Sequence, residues 1–223
     1  EAIWPQLEGH FGGKGFLVAL STIFWREAWK YGERAYRYCH LDVGHAVAAI
    51  ALAARLNGWR FSCISGAGDA QIGTLLGFDR TEWHPLEVEE PDLIGWIGLE
   101  ADAADVAKVL PERMVQPFSA LAVQGRPNRL GRQVVDWSII SQVAVAAHKE
   151  ATPPLACDLR ADPLRYPPPA GLRAADVIRR RRSAQANDPG RSISAGTFLA
   201  ILDRTRPRAG VPPFDTCIMA PAI

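Results

Sequence analysis

The chain has 223 residues, of which 48% are hydrophobic and 22% are charged, and its formal net charge is +1. This composition can build a hydrophobic core and excludes general disorder, while the small net charge provides no overall field for DNA or an anionic membrane. The four cysteines, Cys39, Cys63, Cys157 and Cys217, form no CxxC pair. Their spacing argues against a zinc ribbon or a disulfide framework and is typical of a reducing, cytoplasmic compartment.

The first hundred residues alternate between predicted strands and a predicted helix. Residues 15–25, GFLVALSTIFW, are rich in β-branched and aromatic residues and predict a buried strand. Residues 42–57 predict a helix, because apolar residues recur at helical spacing, Asp42 is a suitable N-cap and Asn57-Gly58 is a good stop. Further along, the pattern predicts strands at 59–65 and 92–99, and a short helix at 70–78 that follows the loop GAGD.

The second half of the chain is predicted to be helical and is divided by a proline-rich stretch. Residues 152–170 contain six of the 17 prolines, and proline lacks the amide donor that a helix or a central strand needs. We interpret this stretch as a linker between a unit at 1–151 and a unit at 171–223. Further helices are predicted at 102–110 and 132–150, at 171–188 where the helix runs into a basic turn, and at 194–205 with Ser194 as a cap. Helices and strands mix without a strict βαβ rhythm, which favours the α+β class.

The two ends of the chain indicate a piece of a longer protein. The chain begins at Glu1 without a methionine and stops at CIMAPAI, so we expect it to be incomplete at both ends. Its longest apolar run, VAAIALAA at 47–54, is far too short to span a bilayer, so we expect no membrane partner.

The stretch WKYGERAYRYCHLDVGHA, residues 29–46, contains the first candidate for chemistry, the pair Lys30 and Tyr31. A lysine acts as a general base only if its pKa falls toward neutrality, and burial and the flanking cations Arg26 and Arg34 would lower it. Neighbours on a strand point to opposite faces, and on a helix they diverge by roughly 100°, so both could reach one substrate only from a loop or a strand end. From the residues alone, a snorkelling lysine beside an interfacial tyrosine is the favoured interpretation.

Three other constellations admit more than one interpretation. The spacing of His40, Asp42 and His45 does not suit a metal site on one helix face, and His45 could be a buried histidine of the apolar helix. The small residues of ISGAGDAQIG, 64–73, could bring backbone amides to a phosphate or a flat ring, or could form a simple tight turn. The run IRRRRSA, 178–184, could be a compact phosphate site, a solvated basic face or a contact to nucleic acid.

Two segments resemble a known family. WKYGERAYRYCHLDVGHA…AARLNGW resembles the nitroreductase-like FMN flavoenzymes of the SagB-type, or thiazole/oxazole-forming, dehydrogenase branch, where KYGxRAYRY…LDxGHxxxxLxLAAxxLGW is characteristic. RRRSAQAND…FLAIL resembles the RRSxRxF segment near the start of such a domain. Because the late segment precedes the early one, the resemblance implies a tandem protein. Residues 1–151 would then be the C-terminal part of a first copy, 152–170 the linker and 171–223 the N-terminal part of a second copy.

The resemblance implies a nitroreductase-like α+β fold with FMN bound between two copies, either within one chain or in a homodimer. The implied function is that of an FMN-dependent oxidoreductase, with hydride transfer at the flavin N5, proton transfer by Lys30 and Tyr31, and NAD(P)H as one compatible reductant. The substrate would be a small molecule or a peptide, and neither nucleic acid nor a membrane is an expected partner. The residues that the resemblance assigns to cofactor binding are Arg34, Arg37, Asp42, His45, Gly66, Arg181, Arg182 and Ser183.

The chain departs from the family pattern at Gln185, which replaces the third basic residue of RRSxR. This departure leaves room for a different class of function, a non-catalytic, degenerate copy that serves as a scaffold in a peptide-modifying complex. A nucleic-acid binder that uses residues 179–182 is a third alternative.

Overall fold

The helices and strands of this protein fall into two units, which are described separately. The computed structural model describes residues 3–100, 109–130, 135–153 and 171–206 and Arg208, and it assigns Glu1–Cys157 to the first unit and Asp158–Val211 to the second. The elements of the first unit are α1 (Trp4–Phe11), β1 (Gly15–Thr22), α2 (Trp25–Tyr31), α3 (Ala35–Leu56), β2 (Arg60–Cys63), α4 (Asp69–Leu76), β3 (Glu90–Gly98), α5 (Glu112–Ser119) and α6 (Ser138–Ala146). The second unit contains α7 (Ala174–Arg180) and α8 (Ala195–Arg204).

A three-stranded antiparallel sheet with the order β1-β3-β2 lies at the centre of the first unit. The register aligns Gly15 with Gly98 at one end of β1 and Thr22 with Glu90 at the other, with an irregularity between Leu20 and Ser21. Successive side chains of a strand point to opposite faces. The middle strand β3 therefore contributes to the packing on both sides of the sheet.

Helices cover both faces of this sheet. On one face, α1, α4 and α5 pack on side chains of β1 and β3, and the buried members of this cluster are Leu7, Phe11, Ile64, Ala67, Ile72, Ile94, Trp96, Leu110, Met114 and Val115. On the other face, α3 packs on β2 and β3, with Val47, Ala51, Ala54, Phe61 and Ile97 buried. The alternation along β3 assigns Ile94 and Trp96 to the first face and Leu93 and Ile97 to the second, as the period of two requires.

A third cluster fixes the start of α3. Its buried members come from the residue before α2 and from α2, α3 and α6. They are Phe24, Ala28, Ala35, Cys39 and Ile140. The chain reverses between α2 and α3 at Gly32, whose φ of +59° is in the region that favours glycine. The Trp137 side chain closes over this reversal, because a Cβ added at Gly32 would lie 3.2 Å from its ring.

The sequence correctly predicted the α+β class and the approximate positions of the three strands. The first strand ends earlier than predicted, at Thr22, and the residues from Trp25 onward are helical. The helix predicted at 42–57 begins seven residues earlier, at Ala35, so the assignment of Asp42 as an N-cap was wrong. Ala35 and Cys39 are one helical turn apart and both pack into the third cluster, which extends the helix through the aromatic and basic stretch.

Several other predictions concern the second half of the chain. The helix predicted at 132–150 is observed as Ser138–Ala146, with 131–134 outside the described residues. Most of the helix predicted at 102–110 and most of the linker at 152–170 also lie outside the described residues. Helices α1, α2 and α5 were not predicted.

By length and composition alone, the helical segment Trp25–Leu56 is the one part of the described residues that could cross a membrane. It comprises α2, the reversal at Gly32 and α3, and it is longer than the apolar run 47–54. Length and apolar composition are weak evidence for a membrane span, since core helices of soluble proteins and signal sequences have them too. One side of α3 packs on the sheet through Val47, Ala51 and Ala54, and 22% of the apolar window is buried.

The second unit consists, in its described part, of two helices with little packing of their own. Ser194 caps α8 as predicted, because its hydroxyl accepts a hydrogen bond from the amide of Thr197 at 3.1 Å. The carboxylate of Asp203 and the guanidinium of Arg208 form a buried pair. Large apolar side chains of α8 remain exposed, namely Phe198, Leu199, Ile201 and Leu202.

We expect Gly95→Ala to lower the free energy of unfolding, because a Cβ at this position of β3 would lie 2.2 Å from the Phe61 ring. Overpacking of this kind costs about 1–3 kcal/mol, which denaturant unfolding would measure. Gly44→Ala is the matched control, since Gly44 lies on an exposed face of α3 with open space around it. In this control the free energy of unfolding should rise by up to about 1 kcal/mol, because alanine has a higher helix propensity than glycine. Equal stability of the two variants would contradict the close contact between β2 and β3.

Candidate functional site

Lys30 and Tyr31 lie at the C-terminal end of α2, immediately before the reversal at Gly32. The ammonium nitrogen of Lys30 is 4.9 Å from the centre of the Tyr31 ring, so these neighbours meet although helical neighbours diverge. The Tyr31 ring is held from behind by an edge contact with Tyr38, with ring centres 4.8 Å apart. The pair therefore lies at a helix end, and not in the loop or at the strand end that the sequence predicted.

The electrostatic environment of Lys30 is the opposite of that expected for a general base. A side-chain hydrogen bond from Lys30 to Tyr31, together with the charge interaction between them, raises the pKa of Lys30 above its ordinary value. Its exposed side chain loses little hydration, and Arg26 does not lower the pKa, because the Arg26 guanidinium donates to Asn128 and lies 3.7 Å from the Glu87 carboxylate. Lys30 thus keeps its proton at neutral pH and carries a positive charge.

Arg34 and Arg37 follow Lys30 at the turn into α3 and are exposed. Within the described part of the chain neither guanidinium has a hydrogen bond or an ion pair. Arginine provides a fork of donors that suits phosphate and carboxylate groups. These two cations are therefore available to an anionic ligand.

Asp42 and His45 lie further along α3 and do not point into one site. Asp42 lines a cavity of about 420 Å³ between the end of β1 and the helices α2 and α3, together with Arg26 and Cys39. His45 is exposed, and its Nδ1 is 2.8 Å from the carbonyl oxygen of Leu41. The interpretation of His45 as a buried histidine was wrong, because the buried side of α3 is set by Val47, two residues and about 200° away.

The loop that contains Gly66 is covered by the chain that follows α6. The Gly66 carbonyl accepts a hydrogen bond from the amide of Thr152 at 3.0 Å, and the amide of Asp69 donates to the carbonyl of Lys149 at 2.9 Å. At Gly68 a Cβ would lie 2.5 Å from the amide nitrogen of Ala151. These contacts cover the loop at Gly66 and Gly68 and occupy the amide of Asp69.

Arg181, Arg182 and Ser183 lie in the second unit, just after α7. The Arg181 guanidinium is 3.4 Å from the hydroxyl of Ser183. Arg182 instead donates to the main-chain carbonyls of Arg179 and Arg181, at 2.9 and 2.8 Å. All three are exposed, so the described structure brings Arg181 and Ser183 together and turns Arg182 back onto the backbone.

The sequence analysis missed a group of titratable residues at one end of β3. The Asp92 carboxylate accepts a hydrogen bond from Thr22 at 2.6 Å and lies 3.6 Å from the ring of His40. Nearby, the ring of His148 lies 3.6 Å from the carboxylate of Asp69. Burial raises the pKa of Asp92. No sequence signal could have joined these residues, which come from β1, α3, α4, β3 and the segment after α6.

Two further findings limit the chemistry that can be assigned. Burial raises the pKa of Cys39 to about 11, so this thiol is protonated and unreactive at neutral pH. Among the described residues, no group of three or more His, Cys, Asp or Glu side chains could hold a metal ion.

Comparison of the chain with protein-family models, with curated proteins and with solved structures finds no match in any of the three.

We expect Tyr31→Phe to increase the rate at which an acid anhydride acylates Lys30 at a fixed pH near 9. The variant lacks the hydroxyl that raises the pKa of Lys30, so more of the amine is unprotonated and nucleophilic. Peptide mass spectrometry of the labelled protein would measure the rate, with the exposed Lys14 of the same sample as an internal control. An unchanged or slower rate at Lys30 would contradict the hydrogen bond.

We expect Asp92→Asn to become progressively more stable than the unmodified protein as the pH rises above about 4. The pKa of Asp92 is higher in the folded state than its ordinary value of 3.8, so the folded state binds the proton more tightly. Ionisation therefore costs folding free energy, and this cost appears as the pH rises through the folded pKa. Urea unfolding of both proteins between pH 4 and pH 8 measures the difference. Asp42→Asn, which removes an exposed carboxylate, controls for the loss of one charge. If the stability difference between Asp92→Asn and the unmodified protein did not change with pH, burial of the Asp92 carboxylate would not be its cause.

Proposed function

We propose that this chain is part of an FMN-dependent oxidoreductase of the nitroreductase-like, SagB-type dehydrogenase class. The observation that carries the proposal is the meeting of Lys30 and Tyr31 at the end of α2, inside the segment that resembles this family. The α+β architecture, with helices on both faces of an antiparallel sheet, is compatible with it. The finer assignment to a nitroreductase-like fold, and the pairing with a second copy, belong to the same proposal.

The residues present fit FMN in part. Arg34 and Arg37 are exposed and have no partner among the described residues, so they would contact the anionic parts of the cofactor. Arg181 and Ser183 would serve a phosphate group in the second copy. Gly66 does not fit, because its loop is closed by Thr152 and Ala151. When bound, FMN supplies the hydride chemistry that no side chain can provide.

The role proposed for the pair is delivery of a proton to the substrate. Lys30 keeps its proton at Nζ at neutral pH, and its ammonium lies beside the Tyr31 ring, 4.9 Å from the ring centre. The Tyr31 hydroxyl can give its own proton to a substrate. Lys30 then supplies a proton to Tyr31 and is itself reprotonated from solvent. This arrangement favours delivery of a proton to a substrate that is being reduced, such as a quinone or a nitroaromatic compound. Oxidation of a peptide azoline would use the same path in reverse.

The visible spectrum of the full-length protein tests the proposal. A flavoprotein should be purified yellow, or should take up added FMN and then be reduced by NAD(P)H or another electron donor. A colourless preparation that fails to take up FMN would refute the proposed function.

We expect Lys30→Met and Tyr31→Phe each to lower the turnover of the flavin-loaded enzyme by about 100-fold, the usual contribution of a positioned proton donor. Flavin absorbance should be retained in both, since the proposal assigns these residues to proton transfer rather than cofactor binding. Lys14→Met, at an exposed lysine before β1, is the matched control and should leave turnover unchanged. Full turnover by both variants would remove the pair from the mechanism.

A non-catalytic scaffold in a peptide-modifying complex is the second candidate function. Two observations favour it: the closed loop at Gly66 and the exposed apolar side chains of α8. Co-purification with a partner, without reduction of any bound flavin, would support this function. Robust turnover by the isolated protein would exclude it.

A further inference from the structure

A second cavity, of about 220 Å³, lies between α2, the segment before β3 and α6. Three aromatic side chains line it: Phe24, Trp25 and Trp137. Most of the remaining wall is aliphatic, with Leu86 and Ile140 among its members. This volume is below the range of roughly 300–1,000 Å³ typical of sites for drug-sized ligands, so the occupant would be small.

The charged groups in this wall are all acidic. Glu90 at the start of β3 and Asp136 just before α6 line the cavity, whereas none of its lining residues is a lysine, an arginine or a histidine. Within the part of the chain that the structure describes, neither carboxylate has a hydrogen bond or an ion pair. The ring of His148 lies 3.6 Å from the carboxylate of Asp69, and it acts on Glu90 through its charge without a hydrogen bond.

A half-buried carboxylate that no cation contacts directly is costly, because burial disfavours its charged form. The raised pKa of Glu90 reflects this cost: burial is the first cause and the charge of Asp69 the second, and together they outweigh the opposite effect of His148. A cation in the cavity would remove the cost. Aromatic rings also attract cations, and tryptophan attracts them best. An anionic ligand would meet repulsion from both carboxylates, and a neutral apolar ligand would leave them unpaired.

We propose that this cavity binds an organic cation, namely an ammonium group on a small apolar or aromatic body. The ammonium would pair with Glu90, with Asp136 at the rim, and the apolar body would lie against Trp25 and Trp137. Trp137 also covers Gly32, beside Tyr31, so the occupant would lie near the end of α2. The inference does not depend on flavin binding.

The probe for this site is phenethylammonium, and its neutral counterpart is 2-phenylethanol, which has the same ring and chain length. Tryptophan fluorescence and isothermal titration calorimetry, at pH 7.5 and with and without FMN, would measure binding of each. We expect saturable 1:1 binding of phenethylammonium, and at least about tenfold weaker binding of the alcohol, because a charge-assisted contact is replaced by a neutral one. No saturable binding, or equal binding of the two, would overturn the proposal, whatever the outcome of the flavin test.

Glu90→Gln tests the assigned carboxylate without changing its volume. We expect it to weaken phenethylammonium binding by about tenfold and to leave 2-phenylethanol unaffected. Glu82→Gln is the matched control, because Glu82 is exposed and does not line the cavity. Circular dichroism would verify folding. Should Glu90→Gln not fold, Asp136→Asn at the exposed rim provides the same test, with an expected loss of about threefold. The same affinity in the folded variant and in the control would refute the site.

Discussion

The two-sided burial of β3 is the constraint on which the rest of the first unit depends. Its alternating side chains supply Ile94 and Trp96 to one helical layer and Ile97 to the other. Trp96 stacks on Phe11 of α1 at 4.9 Å, and Gly95 makes room for the Phe61 ring of β2. A change in the register of β3 by one residue would exchange the two faces and disrupt both layers together. The helices that carry the candidate site are positioned by this strand.

The charges of the first unit are separated along the chain in a way that shapes its chemistry. Exposed cations collect at the turn from α2 to α3, where Lys30, Arg34 and Arg37 follow one another. Carboxylates that are partly or fully buried collect at the start of β3, where burial raises the pKa values of Glu90 and Asp92. The charge of one region is therefore suited to anions, and that of the other to cations.

Local signals in the sequence were sufficient for the fold class and for most strand positions. Alternation and β-branched residues identified β1, β2 and β3, because these patterns depend on neighbours in the chain. The start of α3 was misjudged because Ala35 and Cys39 are weak signals alone, and only their packing on Ile140, about a hundred residues away, explains the extension. The small helices α1 and α5 are short and become recognisable through their contacts with Trp96 and Ile72 in the core.

The candidate site likewise has features that local sequence signals predict and features that depend on long-range contacts. Lys30 and Tyr31 were identifiable because they are adjacent and belong to a characteristic segment. The direction of the Lys30 pKa shift could not be predicted, since it depends on how close the Lys30 ammonium comes to Tyr31 in the folded chain. The closure of the Gly66 loop was equally hidden, because Lys149 and Thr152 are separated from it by more than eighty residues of sequence. Long-range contacts therefore decide what the local motifs can do.

The burial of Cys39 has a consequence for how the molecule opens. Its thiol lies among Phe24, Ala28 and Ile140, and a thiol reagent must reach the sulfur and find it deprotonated. Both conditions are met only when α2, α3 and α6 separate. The rate at which Cys39 is modified would therefore report the separation of the helices next to Lys30 and Tyr31, without any introduced label.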